Sequence, residues 1–184
     1  MGEFPLILSI AAISGGGKTT VAKRLAAHLN DGVKIVHYDD YQLTGPSDFG
    51  NWAVSSGDYN DWDVSPIVKE INLHIKNREV KYIILDYPFS YLHAQLKDLI
   101  SISIFIDTPL DIAMARRLIR ENYTTVDMIK IDSQIYLDRG RKAYQIMIEK
   151  VKPSADIVID GALSVEAITQ KLVNIIRSKS LNER

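Results

Sequence analysis

Residues 6 to 29 constrain this chain more than any other stretch. Leu6-Ile7-Leu8-Ser9-Ile10 is an apolar, β-leaning run, and it leads into Ala12-Ile13-Ser14-Gly15-Gly16-Gly17-Lys18-Thr19-Thr20. A helical pattern follows, with Val21, Leu25 and Leu29 on one face. Strand, glycine loop and helix with Lys-Thr at the junction match the phosphate-loop pattern G-x-x-x-x-G-K-[ST], with Ala12 in place of the first glycine. Consecutive glycines let backbone N–H groups turn inward, because no Cβ blocks the close approach. Those groups and the helix start form an anion cradle. Ser14, Gly15, Gly16, Gly17 and Thr20 are therefore expected to line a nucleotide's phosphates. Lys18 is expected to reach the β- and γ-phosphates, and the Thr19 hydroxyl to ligate Mg²⁺.

The rest of the chain alternates strand and helix. Strands are expected at Val33–His37, Tyr82–Asp86, Ile102–Asp107 and Ala155–Gly161, after the first at Leu6–Ile10. Helices are expected from Ser65-Pro66, from Thr108-Pro109 with a capping-box spacing, over about 125 to 152 with a break near Asp132 or Gly140, and from Ser164. A short helical segment fits 92 to 99, and the tail from Ser178 reads as frayed. The expected fold is α/β: a three-layer P-loop NTPase arrangement, a parallel sheet of about five strands with helices on both faces. Residues 1 to 184 read as one domain. In such sheets ligands bind beyond the carboxyl ends of the strands. Here those ends carry the glycine loop, Asp39-Asp40, Asp86, Asp107 and Asp160.

Each acid has a bland and a sharp reading. Asp86 ends a buried strand where a Mg²⁺-holding carboxylate belongs, or it caps the turn into Tyr87-Pro88. Asp39 is the first choice for the base that accepts a hydroxyl proton, with Asp40 beside it as a metal or substrate partner; otherwise the pair is a solvated turn. Arg116 and Arg120 share a helix face with Arg117 between them. They either favour a helix C-terminus or form a cationic lid over a transferring phosphoryl. Arg139 and Arg141 read as solvated.

Residues 42 to 63 form a long connection without periodicity, rich in Gly, Ser, Asp and Asn yet carrying Phe49, Trp52, Tyr59 and Trp62. With Tyr87, Phe89 and Tyr91, these rings could stack a base or sugar. The histidines, His28, His37, His74 and His93, have no metal-ligand spacing and are assigned to structure or surface.

Composition excludes several classes. A formal net charge of −1 gives no field to recruit nucleic acid or an anionic membrane. With no cysteine there is no disulfide framework or thiolate chemistry, which suits a reducing, cytoplasmic setting. No stretch has the length and apolarity of a membrane span, and the first residues lack the basic region of a signal peptide.

These residues together resemble a family. Ile10 to Lys23, Val36-His37-Tyr38-Asp39-Asp40-Tyr41, Phe105-Ile106-Asp107-Thr108-Pro109 and Ala115-Arg116-Arg117-Leu118-Ile119-Arg120 are similar to segments of uridine kinase/phosphoribulokinase-type P-loop kinases, which include nicotinamide riboside kinases. The resemblance implies an ATP- and Mg²⁺-dependent enzyme that phosphorylates a hydroxyl, most readily of a nucleoside such as uridine. It makes Asp39 the general base, and Lys18 and Thr19 the phosphate and Mg²⁺ residues. Arg116, Arg117 and Arg120 become lid cations, in a lid of about 116 to 132. Asp160 falls near the adenine. An acceptor region of about 39 to 66 would include Asp40, Tyr41, Asp61 and Trp62, with Tyr87 alongside. The chain departs from the family at Ala12 and at Asp86-Tyr87, where Glu-Gly is usual. A homo-oligomer stays open. The competing readings are a nucleotide-binding regulator without turnover and a P-loop ATPase or GTPase. Against the last, no Asn-Lys-x-Asp motif is present and the residue after Asp86 is Tyr rather than Glu.

Overall fold

The computed structural model describes residues 4–182, with side chains to 179. Five parallel strands form one sheet: β1 (Leu6–Ala11), β2 (Val33–His37), β3 (Tyr82–Asp86), β4 (Ile102–Asp107) and β5 (Ile157–Asp160), in the order β2-β3-β1-β4-β5. β1 lies at the centre, pairing Ile7 with Ile83 on one side and Ile10 with Ile104 on the other. The strand that feeds the glycine loop therefore has a neighbour on both edges.

Alternate residues of each strand feed two separate cores. Leu8, Ile10, Ile84, Ile104 and Ile106 pack on one face beneath α1 (Lys18–Leu29) and α8 (Val165–Asn182), through Val21, Leu25, Leu172 and Ile176. Ile7, Ile83 and Leu85 pack on the other face beneath α3 (Ser65–Ile75) and α4 (Ala94–Lys97), through Ile67, Ile71 and Leu96. Fully buried strands on both faces explain the near-continuous apolar runs in the sequence. The three-layer expectation is met.

The connections differ in detail from their expected forms. α2 (Phe49–Val54) and a 3₁₀ turn at Tyr59–Asp61 occupy the segment that showed no periodicity. α2 is six residues long, too short for a 3.6-residue repeat to register. Asp48 caps it by accepting from Asn51 N at 3.0 Å. Ser65 does not cap α3; Asp63 accepts the Ser65 N–H at 3.0 Å instead. Thr108 does not cap α5 (Leu110–Arg120); its hydroxyl donates to Gly16 O at 2.9 Å and ties the end of β4 to the glycine loop. Ser164 does cap α8, accepting from Ala167 N. The long helical region resolves into α6 (Val126–Ile135), a π-turn at Tyr136–Gly140 and α7 (Arg141–Val151). The break near Gly140 is thus an insertion into a continuing helix rather than a stop. Helix continues through Asn182, so the tail expected to fray from Ser178 is helical as far as 182, and 183–184 lie outside the described residues. Among the described residues no helix is long and apolar enough to cross a membrane.

Candidate active site

β1 ends at Ala11, and the chain turns through residues 12 to 17 before α1 starts at Lys18. Gly15 lies in the left-handed region at φ +78°, and a Cβ there would sit 2.1 Å from the Ala113 carbonyl oxygen of α5. A side chain at this point would push the loop off the helix that carries the arginines. Ala12 is 1 % exposed and packs within the core beside α1, so a methyl at the first loop position is accommodated. No side chain caps the start of α1. Its first N–H groups have no intrahelical partner and face the loop's interior, as an anion site needs.

Two charged side chains meet at the mouth of this loop. Lys18 Nζ lies 2.8 Å from Asp86 Oδ1, an ion pair with little solvent around it. His37 Nδ1 bonds Asp86 Oδ2 at 2.9 Å, because His37 and Asp86 are register partners at the ends of β2 and β3. Asp86 is 2 % exposed. Burial alone would raise its pKa, but the Lys18 charge and the Thr19 and His37 side chains beside it hold the carboxyl below the usual range. His37, assigned from the sequence to structure or surface, is thus part of the site. No spacing rule could have found it, since the contact comes from strand register.

Beyond the loop opens a cavity of about 830 Å³. Ser14, Gly15, Gly17, Lys18, Thr19 and Thr20 line one side of it, with Arg116 and Arg120 from α5. Asp39 lines it from the 3₁₀ turn after β2, exposed and without a hydrogen bond or ion pair among the described residues. Tyr38, Phe49, Trp52, Tyr59, Trp62 and Phe89 form the opposite wall. The rings lock one another, with Trp52 set edge-on to Tyr59 and to Trp62 and stacked with Phe49 at 5.9 Å. Burial, with the Asp39 charge beside it, pushes the Tyr38 phenol up. The Tyr38 hydroxyl, Ser56 Oγ and Trp62 Nε1 are buried and have no hydrogen-bond partner among the described residues. All three belong to residues of the cavity wall, but the atoms themselves are covered by protein rather than open to the cavity.

Not every candidate residue reaches the cavity. Gly16 is turned away, its Cα facing the Ala12 methyl. Asp40, Tyr41 and Asp61 do not line it, and the Tyr41 hydroxyl is bonded to Glu70 on α3. Tyr87 is 1 % exposed and packs beneath Tyr38 and Phe89, supporting the aromatic wall from behind. Asp160 accepts from Ala162 N at 2.8 Å and shapes the turn after β5, while Arg116 donates to the neighbouring Gly161 O at 3.1 Å. Arg117 points away from the cavity: it pairs with Asp132 of α6 and donates to the Tyr144 hydroxyl of α7 at 3.1 Å. Burial would lower its pKa, yet Asp132 and Tyr144 raise it. α7 also lines the cavity, through Ala143, Tyr144, Ile146 and Met147. An amphipathic helix shows from its sequence that one face is covered, but not by what.

No family model matches the chain. Relatives do match along its whole length. Uridine kinase from Halalkalibacterium halodurans is 25% identical, and the match covers 98% of this chain and all of that protein. A solved structure described as a possible uridine kinase from Bacillus stearothermophilus has a TM-score of 0.56 at 18% identity, covering 87% of this chain and 91% of that one. The chain is thus similar to uridine kinases over nearly its whole length, and its fold is that of P-loop kinases. A gluconokinase from Sinorhizobium meliloti 1021 shares the fold as well, with a TM-score of 0.54 at 14% identity over 99% of both chains. Kinases of more than one acceptor type thus share this architecture, and the acceptor has to be argued from the cavity wall.

The residues fit a divalent cation held with a triphosphate. Asp86 Oδ1 is buried and has no well-aligned hydrogen bond, only the Lys18 ion pair, and the Thr19 side chain lies beside the same carboxyl. One carboxylate and one hydroxyl suit Mg²⁺, which keeps waters and takes its remaining ligands from phosphate oxygens.

Proposed function

We propose that the protein is a phosphotransferase moving the γ-phosphoryl of ATP to a hydroxyl of a nucleoside-like acceptor, for which uridine is the first to try. The observation that carries this is one cavity holding Lys18 and the glycine loop on one side and the Asp39 carboxylate before an aromatic wall on the other. A hydrolase has no use for a second, ring-lined compartment, whereas a transferase has to seat an acceptor and exclude water.

The chain's residues divide the work. The loop N–H groups and Lys18 hold the triphosphate, so Lys18 exchanges Asp86 for phosphate oxygens when nucleotide binds. Thr19 and Asp86 would hold Mg²⁺, which supplies charge neutralisation between the phosphates. Asp39 accepts the acceptor hydroxyl's proton as its oxygen attacks phosphorus. Arg116 and Arg120 offset the charge that spreads over the transferring phosphoryl. Arg117 positions them by fastening α5 to α6 and α7. Asp40, Tyr41, Asp61 and Tyr87 would act from behind, holding the wall and the turn that carries Asp39.

The test is ATP consumption over a panel of uridine, cytidine, adenosine, gluconate and water alone. ADP formation that depends on a hydroxylated acceptor, with a phosphorylated product, supports the proposal. ADP formation at the same rate in water alone contradicts it and favours a P-loop ATPase; binding without turnover favours a regulator.

A further inference from the structure

His93 is a buried imidazole that the phosphoryl-transfer chemistry does not use. It is 3 % exposed, stands at the start of α4 and lies outside the cavity lining. Both ring nitrogens are engaged. The Gln95 N–H points at Nδ1 at 3.2 Å, and a backbone N–H can only donate, so Nδ1 is the acceptor. Nε2 lies 2.9 Å from the Trp62 carbonyl oxygen, which can only accept, so Nε2 carries the hydrogen. The two bonds fix a neutral imidazole in one tautomer. One nitrogen caps α4, and the other reaches across to the aromatic wall.

Trp62 is where that wall is joined. Its ring meets Tyr38, Phe49, Trp52 and Phe89 at centroid separations of 5.9 to 6.2 Å. It also packs on Gly45, where a Cβ would sit 2.5 Å from the ring. Apolar burial holds these rings together without fixing how far their segment reaches into the cavity, because it carries no direction. Hydrogen bonds do carry direction. The Asp63 N–H donates to Thr44 O at 2.8 Å, which closes the loop on itself. Two further bonds fasten the loop to the start of α4: His93 Nε2 to Trp62 O, and the Ala94 N–H to Asn60 Oδ1 at 2.9 Å.

Resting on the phosphoryl-transfer reading above, we propose that His93 is a positioning residue: its Nε2–H bond to the Trp62 carbonyl sets the depth at which the Trp62 ring stands in the cavity, and so how well the acceptor is seated. His93 itself touches neither substrate nor the reacting atoms. Its Nδ1 bond to Gln95 keeps the imidazole from turning, so that the second bond stays aimed. Losing the Trp62 bond loosens the acceptor side alone, because the glycine loop and Lys18 lie across the cavity.

Two substitutions separate the nitrogens. Asparagine carries a polar atom at the place of Nδ1, and glutamine carries one at the place of Nε2. His93→Asn therefore keeps the cap of α4 and loses Trp62, and His93→Gln does the reverse. Each gives up one hydrogen bond at a buried position, so both should melt a few degrees below wild type. The acceptor KM is measured with whichever of uridine, cytidine, adenosine and gluconate turns over fastest. It should rise roughly three- to tenfold in His93→Asn, the worth of one hydrogen bond, and stay within about twofold of wild type in His93→Gln. The ATP KM and kcat should hold in both. The wall itself is read in a Trp52→Phe background, which leaves Trp62 as the only tryptophan. Its emission should shift, and its quenching by acrylamide should rise, with His93→Asn and not with His93→Gln. If either variant fails to fold, Asn60 reads the same tie from an exposed position. Asn60→Ala should move the Trp62 emission, and Asn60→Asp, which keeps an oxygen for the Ala94 N–H, should not. Equal acceptor KM values for His93→Asn and His93→Gln, or Trp62 emission indifferent to loss of the tie, overturns the proposal. A wild type that phosphorylates no acceptor contradicts the transfer reading instead, and the Trp62 emission then decides the positioning role by itself.

Discussion

Lys18 Nζ and Asp86 Oδ1 lie 2.8 Å apart, so the lysine of the glycine loop and the carboxylate at the end of β3 neutralise each other. The pair keeps both charges satisfied in a buried place. It also means that nucleotide has to draw Lys18 away before the Asp86 oxygen is free.

Removing one partner should therefore cost stability as well as chemistry. Lys18→Ala is expected to lower kcat by about 10²- to 10³-fold, as loss of one charge-stabilising donor does. It should also destabilise the fold by about 3 kcal/mol, because Asp86 is left as a buried, half-paired charge. Adding Asp86→Asn to Lys18→Ala should return most of the stability and none of the activity. Urea unfolding beside steady-state kinetics checks both halves.

The pH dependence follows from the direction of the Asp86 shift. Its carboxyl is held below its ordinary value of 3.8 in the folded chain, so the unfolded chain binds the proton first as pH falls. The stability from Asp86 is present above the unfolded value and is lost as pH drops through the folded one. Wild type should lose more of its urea midpoint than Asp86→Asn on acidification below about pH 4, the ordinary carboxylate range. Parallel curves for the two proteins would show that the pair contributes no pH-linked stability.

Asp39→Asn separates chemistry from folding. Asp39 is exposed and makes no hydrogen bond or ion pair among the described residues, so the variant should melt with wild type. Its kcat should fall by about 10²- to 10⁴-fold, the range for loss of a general base, with the ATP KM unchanged. Thermal melting and initial rates give both readings.

Gly57→Ala tests the aromatic wall. A Cβ at Gly57 would lie 2.0 Å from Trp52 Cδ1, against a ring already held by its N–H donating to Asp58 O at 3.1 Å. Trp52 has to swing away, and the acceptor KM should rise by about tenfold, consistent with loss of one well-packed ring contact. The ATP KM should stay as it was, since the glycine loop lies on the other side of the cavity.

Arg117→Lys distinguishes the arginines of α5. Arg117 is engaged by Asp132 and Tyr144, and Asp132 also accepts from the Tyr123 hydroxyl at 2.7 Å. Lysine cannot reproduce the fork, so the variant should melt lower and raise the ATP KM together. Arg116→Ala should lower kcat while leaving the melting temperature within a degree or two of wild type, roughly the effect of an exposed substitution.

The parts of this molecule that repeat were readable from its sequence, and those set by distant partners were not. Apolar runs bounded by turn residues located all five strands, most plainly β1, β3 and β4, which are buried on both faces; the edge strands β2 and β5 keep exposed positions at Lys34 and Val158. The loop at Ser14–Thr20 was legible because its chemistry is local. His37 was not, since its contact with Asp86 depends on a register between strands 49 residues apart. Arg117 and Arg116 are adjacent in sequence, yet one ties α5 to α6 and α7 and the other lines the cavity, a difference set by how α6 and α7 pack. Thr108 looked like a helix cap and is a strut to the loop: its hydroxyl donates to Gly16 O, and α5 starts without a side-chain cap.

The central claim is transfer of a phosphoryl group across the cavity, from the Lys18 side to the Asp39 side. The most direct measurement is mass spectrometry of the acceptor after incubation with ATP and Mg²⁺, using wild type and Asp39→Asn side by side. One phosphorylated product per ADP formed is expected with wild type, and loss of that product with Asp39→Asn while ATP still binds. ADP formed without a phosphorylated acceptor, or full product yield from Asp39→Asn, would contradict it.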